Sequence, residues 1–295
     1  MNSAVDCQRC RPCSSARAEP QRGWALASVL WALTAMALLA AAAQSLTATS
    51  YDAERRGLDA TRANLVLDAT VARAALGVAD QRSEARWRVD GTARVFIFDS
   101  IAVRVAVQDE LGRVDLNAAS AATIRQVFLG QGMDLDSASR LADRVADWRE
   151  PLGPGRLNGG SDADYKAAGR SYFPRHAPFQ TVDELRLVLG MTPAFFARVK
   201  PAFTVYSKRP TFDPEVATPQ ALLVLYPNDP EKIVELLRER TQAAANGLAG
   251  PIVPGPGRVF TVSAELQLRG HDFHRSAVIE LTGDPKRPYF ALAWQ

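Results

Sequence analysis

Hydrophobic and polar positions follow three successive patterns along the chain. Residues 24–43 carry no charge and are almost entirely apolar. Apolar residues then recur at steps of seven, four and three, which predicts a stripe on one face of a continuing helix. This stripe comprises Tyr51, Leu58, Leu65, Ala69, Ala72 and Leu76. From Ile101 to Gln108 branched residues alternate with polar or small ones, which predicts a strand with one buried face.

Strand patterns flank a long region of helical period. Strands are predicted at residues 85–90, 94–98 and 101–108, and again at 258–268, 276–281 and 288–294. Helices are predicted at 118–129, 135–149, 181–189, 193–199, 218–225 and 231–245. Asn117 and Asp134 suit the N-caps of the first two, and Thr181 with Glu184 has capping-box spacing. The pattern predicts an α+β fold in which an all-α domain interrupts an antiparallel sheet.

The apolar run is long enough to be a membrane anchor. As a helix, residues 24–43 measure about 30 Å, which matches the hydrocarbon core of a bilayer. Arginines dominate the preceding segment, and this bias favours a cytoplasmic N-terminus. The alternative is a signal peptide cut after the alanines at 41–43, but the run is longer than the apolar region of such peptides. The pattern favours a single retained span.

The apolar stripe beyond the span predicts two kinds of helix packing. We expect its C-terminal half to pack on the sheet of the same chain. Closer to the membrane the stripe has no local partner, so we expect packing against other subunits there. The residues assigned to subunit packing are Ser28, Tyr51, Leu58 and Leu65.

Composition and motifs limit the binding and catalytic functions that the chain can have. The 35 basic and 32 acidic residues give a net charge of only +3, which does not suggest a dedicated nucleic-acid binder. The chain has no nucleophile elbow, phosphate-binding loop or zinc-protease motif, and therefore no catalytic residues are assigned. All three cysteines, Cys7, Cys10 and Cys13, lie at the N-terminus; their spacing suits a metal or sulfur cluster, although further ligands are missing.

One loop of the helical region is rich in oxygen ligands. Glu150 precedes a glycine-rich turn that carries Asp162 and Asp164, and calcium prefers six to eight oxygen ligands. These three carboxylates are the candidate metal ligands. The alternative is a solvated turn in which Asp147 pairs with an arginine.

Several segments match one protein family in order. Gly23 is followed directly by Trp24 and the apolar run, and this arrangement resembles the site that prepilin peptidase cleaves. Ser28 lies at the position where pilin-like subunits usually carry Glu. Further matching segments are 114–118, 147–149, 158–159, 178–179, 183–185, 204–207, 260–262 and 292–294. In this order the chain resembles general secretion pathway protein K, the K-type minor pseudopilin of the type II secretion system.

The resemblance implies an architecture, a maturation step and partners. The fold would be pilin-like, a long N-terminal helix on an antiparallel sheet, with a helix-hairpin-helix (SAM-like) domain inserted between strands. Segments would be a leader (1–23), a transmembrane part (24–43), a periplasmic helix with the first strands (44–110), the insert (111–250), and a linker with the last strands (251–295). Prepilin peptidase would cut between Gly23 and Trp24, and methylation would follow.

The implied function is structural rather than enzymatic. The protein would sit in the inner membrane with a periplasmic C-terminal domain. It would join I-type and J-type minor pseudopilins and other pseudopilins in a tip complex that initiates or caps the periplasmic pseudopilus for protein secretion. The family resemblance also implies calcium in the helical domain.

A membrane-anchored DNA-uptake protein is the alternative function. Residues 114–149 resemble a helix-hairpin-helix, a motif that binds phosphate through backbone N–H groups. Asp134 and Asp136 follow its turn, however, and residues 112–205 carry twelve basic and ten acidic residues, a net of +2. Such a balance is too weak for counterion release to drive binding, so no nucleic acid is expected.

Overall fold

Helix α1 (Arg22–Ala79) is the first element of the described chain. The computed structural model describes residues 22–80, 82, 86–151, 156, 158–248, 250 and 254–295, with side chains from residue 24 onward except those of 45–53. The chain divides into two compact units, Met1–Leu58 and Asp59–Gln295. Helix α1 contributes its N-terminal part to the first unit and its C-terminal part to the second.

Five antiparallel strands form the main sheet of the second unit, in the order β1-β2-β5-β6-β7. They are β1 (Arg94–Phe98), β2 (Ile101–Asp109), β5 (Val259–Leu268), β6 (His271–Asp284) and β7 (Arg287–Trp294). Strand β2 lies directly beside β5, with Val105 in register with Ala264. The chain therefore leaves the sheet after β2 and returns beside the same strand, and everything between is an insertion.

The core of this unit lies between the sheet and α1. On β2 the valines are buried, Ala102 and Arg104 are exposed and Ala106 is half-buried, as the alternation predicts; Gln108, predicted on the exposed face, is buried because the insertion packs there. The helix contributes Val66, Leu67, Val71 and Val78 to the same buried cluster, together with three alanines. Side chains spaced three and four apart share one helix face, so these residues form the stripe that packs on the sheet.

The apolar stripe named from the sequence is not the one that packs. Leu76 remains 54% exposed, so the prediction that the C-terminal half of the stripe covers the sheet is wrong. At about 100° per residue the buried face is centred on the opposite side of α1. It includes Ala63, Ala74 and Ala75, whose short side chains let the helix approach the sheet closely.

The insertion contains most of the helices and a second, two-stranded sheet. Its elements are β3 (Val114–Asp115), α2 (Ala121–Gly130), α3 (Leu135–Arg149), α4 (Asp162–Ala167), a 3-10 helix (Val182–Leu187), α5 (Pro193–Val199), β4 (Phe203–Thr204), α6 (Pro219–Leu225) and α7 (Pro230–Ala245). Strands β3 and β4 pair in parallel and close the segment between them. Its core is aromatic, with Phe128 against Phe203 and Trp148 stacked on Phe179.

Three local predictions need correction. Helix α2 begins at Ala121 with Ser120 as its N-cap, because the amide of Asn117 instead exchanges two hydrogen bonds with the backbone of Phe179. The segment predicted as a helix from 181 to 189 is a 3-10 helix, although the Thr181 capping box is present. The predicted strand at 85–90 is absent from its described residues, 86–90, apart from one bridge between Asp90 and Gln108.

Candidate functional site

The N-terminal part of α1 has the length and composition of a membrane span. Residues Trp24–Gln44 form a 21-residue stretch with a mean hydropathy of 2.1, and none of its residues is buried in the structure. Its two hydroxyl groups are satisfied within the helix: Ser28 donates to the carbonyl of Ala25 at 3.0 Å and Thr34 to that of Trp31 at 2.9 Å. Internal hydrogen bonding of this kind is what the hydrocarbon core of a bilayer requires.

The predicted cleavage site lies at the start of this helix. Gly23 and Trp24 are in the first turn of α1, and the Trp24 side chain is 86% exposed. Cleavage between them stays a prediction. The three cysteines of the predicted leader lie outside the described residues.

The residues predicted to pack against other subunits are exposed where their side chains are described. Leu58 is 66% and Leu65 is 64% exposed. Ser28 lies within the exposed apolar span. Tyr51 belongs to α1, but its side chain is outside the described part of the chain. The role of these residues in subunit packing remains a prediction.

A buried ion pair marks the point where the chain leaves the sheet. Asp109, the last residue of β2, is fully buried, and its carboxylate accepts from Nε of Arg258 at 3.0 Å and from the backbone N–H of Leu111 at 2.8 Å. Burial raises the pKa of the Asp109 carboxyl, with Arg258 opposing that rise. The pair therefore joins the start of the insertion to the segment that returns to the sheet.

A second set of polar contacts surrounds this junction. Glu110 is 1% exposed and accepts from the hydroxyl of Thr261 at 2.6 Å. Gln108 donates from Nε2 to the carbonyl of Val216 at 2.7 Å. Gly112 lies so close to this carbonyl that a Cβ there would be 2.0 Å from the oxygen. The exit and return segments are thus hydrogen-bonded to each other and to the sheet.

Sequence reasoning missed this junction. The sequence of residues 109–112 suits a turn, and a turn does form there, as a 3-10 helix at Glu110–Gly112. The available signal was the pair of acidic residues, Asp109 and Glu110, at the end of a strand with one buried face. Buried carboxylates are uncommon without a partner, and the partner comes from beyond the insertion.

The carboxylates predicted to bind a metal have separate partners. The Glu150 carboxylate accepts hydrogen bonds from both terminal nitrogens of Arg156, at 2.6 and 2.9 Å, and these bonds lower the pKa of Glu150. Asp164 forms a capping box with Ser161, which lowers the pKa of that carboxyl. Asp162 lies 3.3 Å from Nε2 of His176.

This arrangement does not form a cation site in the described conformation. Arg156 also contacts Asp147 at 3.2 Å and so holds the position that a cation would need between the two carboxylates. Among the described residues, no group of three acidic, histidine or cysteine side chains lies close enough to hold a metal ion. Calcium binding by Glu150, Asp162 and Asp164 therefore stays a prediction.

The turn between α2 and α3 carries a carboxylate where a phosphate would have to bind. Gly132 has a φ of 84°, which glycine adopts easily. Asp134 then caps α3, accepting from the backbone N–H of Ser137 at 2.9 Å. The N–H groups of Gln131 and Gly132 donate to carbonyls of α2, and the Asp134 carboxylate beside the turn would repel a phosphate, so this geometry gives the DNA-binding alternative no support.

Comparison with known proteins finds a similarity that covers much of the insertion. Residues 104–208 match the family model for type II secretion system (T2SS), protein K. Type II secretion system protein K of Klebsiella pneumoniae is 31% identical over 206 residues, which cover 61% of this chain and 61% of that protein. The resemblance to type II secretion system protein K is confirmed. The match spans about three fifths of the length of this curated relative.

A similarity in fold extends beyond the residues that match the family model. A chain in the crystal structure of the GspK-GspI-GspJ complex from the enterotoxigenic Escherichia coli type 2 secretion system has a similar fold, with a TM-score of 0.54 and 15% identity. The similarity covers 82% of this chain and 98% of that one. The residues that match the family model begin within β2 and end just after β4, so they include Asp109 and the aromatic core of the insertion.

Proposed function

We propose that this chain is a K-type minor pseudopilin of the type II secretion system. The observation that carries the proposal is the helical insertion itself: the segment between β2 and β5 contains most of the region that matches protein K. The pilin-like arrangement of α1 and the sheet, and the apolar helix at its N-terminus, support the same conclusion. The role is structural, since assembly and not catalysis follows from these features.

The proposed maturation retains the anchor. The leader stays in the cytoplasm, prepilin peptidase cleaves after Gly23, and the new N-terminal Trp24 is methylated. The helix remains in the inner membrane and the second unit lies in the periplasm. Ser28 replaces the carboxylate that pilin-like subunits usually carry at this position, and a buried carboxylate in lipid needs a partner. A subunit with serine there requires no neighbour ahead of it, which fits a place at the filament tip.

The proposed partners are the I-type and J-type minor pseudopilins. The solved structure with the similar fold is a complex that contains GspK, GspI and GspJ, and this supports the proposal for the present chain. The exposed apolar side chains of α1, including Leu58 and Leu65, would contact partner helices. The bulky insertion would prevent further subunits from adding ahead of it.

Co-purification tests the proposal. The full chain is co-expressed with the I-type and J-type proteins of the same system, extracted in detergent, and purified through a tag on the J-type protein. We expect a stable complex that contains all three. A chain that elutes alone, while its two partners still associate, would contradict the assignment.

A processing assay uses a matched pair of glycine variants. Gly23→Ala should leave a longer, unprocessed species, whereas Gly57→Ala, at a helical position with nothing within 4 Å of the added Cβ, should be cut like the parent. If the Gly23→Ala protein migrates like the parent, the cleavage proposal fails.

A DNA-binding assay tests the alternative function. A DNA-uptake protein predicts salt-sensitive binding of duplex DNA by residues 112–205, and a pseudopilin predicts none.

Calcium binding is proposed separately for the loop that holds Glu150, Asp162 and Asp164. A calcium ion there would have to displace Arg156 from Glu150. If the site exists, millimolar calcium should raise the unfolding temperature of the parent, and Glu150→Gln should abolish the rise. An unfolding temperature that calcium leaves unchanged would contradict the site.

A further inference from the structure

Strand β1 is an unprotected edge of the main sheet. It pairs with β2 on one side, and in the described sheet no strand lies on its other side. All five of its residues are in regular register, without a bulge. Its sequence, Arg-Val-Phe-Ile-Phe, contains no proline, glycine or lysine. Such an edge exposes unpaired backbone N–H and C=O groups that can pair with another chain.

The opposite edge of the same sheet is protected. Strand β7 contains Pro288, and its register with β6 shifts twice, once between Val278 and Ile279 and again between Leu281 and Asp284. Proline and bulges are the devices with which natural proteins block edge pairing. The contrast between the two edges indicates that β1 is left open for a partner.

The side chains of β1 present different chemistry on the two faces of the sheet. Val95 and Ile97 are 64% and 76% exposed on the face away from α1. Phe96 points to the helix side, where it packs against Trp87 with a centroid distance of 6.1 Å. An added strand would therefore need apolar residues at alternate positions to cover Val95 and Ile97.

Arg94 adds a charge requirement at one end of this edge. Its guanidinium lies 4.4 Å from the centroid of the Trp87 ring. Among the described residues no carboxylate pairs with it, and the charged group that acts on it is a second cation, Arg73. Burial, followed by the repulsion from Arg73, lowers the pKa of Arg94. A partly desolvated cation beside another cation favours a ligand that brings a carboxylate.

We propose that the open edge of β1 binds an extended segment of a different polypeptide, with apolar residues at alternate positions and a carboxylate facing Arg94. A second copy of β1 fits less well, because the strand has no acidic residue. The nearest acid, Asp99, is already paired with Arg62 at 2.5 Å. Backbone pairing supplies the affinity, and the alternating side chains with the carboxylate supply the specificity.

The test uses the full chain in detergent and two labelled peptides, so it does not depend on the proposed function. The probes are the acetylated heptapeptide Thr-Val-Glu-Val-Thr-Val-Thr and its analogue with Gln in place of Glu. Binding is measured by fluorescence anisotropy, and amide hydrogen exchange locates the bound peptide. We expect the Glu peptide to bind about five-fold more tightly than the Gln peptide, since one charge-assisted contact distinguishes them.

Three variants distinguish pairing at the β1 edge from nonspecific peptide binding. Arg94→Gln should remove the preference for the Glu peptide, and Ile97→Lys should weaken binding of both peptides. Phe290→Lys, on the other edge strand, is the matched control and should change neither. Each variant is first compared with the parent by circular dichroism and unfolding temperature.

Each result of the peptide-binding test either supports the proposal or overturns it. Slower exchange of the β1 amides, together with the loss of preference in Arg94→Gln, supports the proposal. Absence of binding by both peptides overturns it, as does protection of β7 in place of β1. Self-association of the chain through β1 without peptide binding also overturns it, because the occupant is then a second copy.

Discussion

Replacing Arg258 with Met removes the cation that faces the buried carboxylate of Asp109. Asp109 is fully buried, and the Arg258 side chain is 24% exposed. Loss of one partner from a buried pair costs several kcal/mol, because an uncompensated charge remains inside the protein. Asp109 keeps its hydrogen bond from the N–H of Leu111, and solvent screens part of the pair, so we expect a loss of about 2–3 kcal/mol at neutral pH.

The pH dependence of this loss identifies its cause. Burial already raises the pKa of Asp109 above its ordinary value of 3.8, so the folded state binds this proton more tightly than the unfolded state does. Stability from this group is therefore present below that ordinary value and is lost as pH rises through the folded-state pKa. Removal of Arg258 raises the folded-state pKa further. The deficit of the variant should consequently shrink between pH 7 and about pH 4.

Urea unfolding of the full chain in detergent, followed by tryptophan fluorescence, measures this effect. Arg104→Met is the matched control, because the Arg104–Glu265 pair is 61% and 56% exposed and should contribute less than about 1 kcal/mol. In the double variant with Asp109→Asn, part of the lost stability should return, since no buried charge remains. A variant as stable as the parent, or a deficit that does not fall in acid, would refute the reasoning.

Three further predictions concern other parts of the molecule. Gly112→Ala should cost about 2–4 kcal/mol in urea unfolding, because its Cβ collides with backbone, whereas Gly255→Ala, with nothing within 4 Å, should be neutral; equal effects would contradict the packing. Arg156 lowers the pKa of Glu150, so the stability that this pair adds is present above the ordinary pKa of 4.5 and is lost as pH falls through the folded-state pKa. In urea unfolding, the difference in stability between the parent and Arg156→Gln should therefore disappear in acid. A difference that stays constant with pH would contradict the pairing. Leu65→Gln should leave the unfolding midpoint unchanged, since this side chain is 64% exposed, but should weaken co-purification with the partners; a large loss of stability would contradict the assigned face.

Local sequence signals predicted most of the elements. The alternation in β2 matches its burial pattern from Ile101 to Val107, because period-two burial depends only on the strand and one covered face. The bounds of α3 agree with its cap at Asp134, since an N-cap is an interaction within a few residues. The insertion of a mainly helical domain into an antiparallel sheet followed from the same local patterns, whereas the short strands β3 and β4, which pair across the long segment between them, were not predicted.

Long-range contacts explain what the sequence could not predict. Helix α1 has apolar residues on two opposite faces, and only its contact with the sheet determines that Leu67 is buried while Leu65 is exposed. Asn117 suits an N-cap by its neighbours, but its amide is used by Phe179, far away in the chain. The junction at Asp109 depends on Arg258, which returns only after the whole insertion. The partners in such pairings cannot be assigned from the local spacing of residues.

The identity of the first residue of the membrane-extracted protein tests the central claim most directly. N-terminal sequencing of the chain purified from its own membrane should give Trp24, methylated or not, with the apolar helix retained. A mature chain recovered from the soluble fraction and beginning at Gln44 would mean that the helix is a cleaved signal, and the chain would then have no anchor with which to join a pseudopilus.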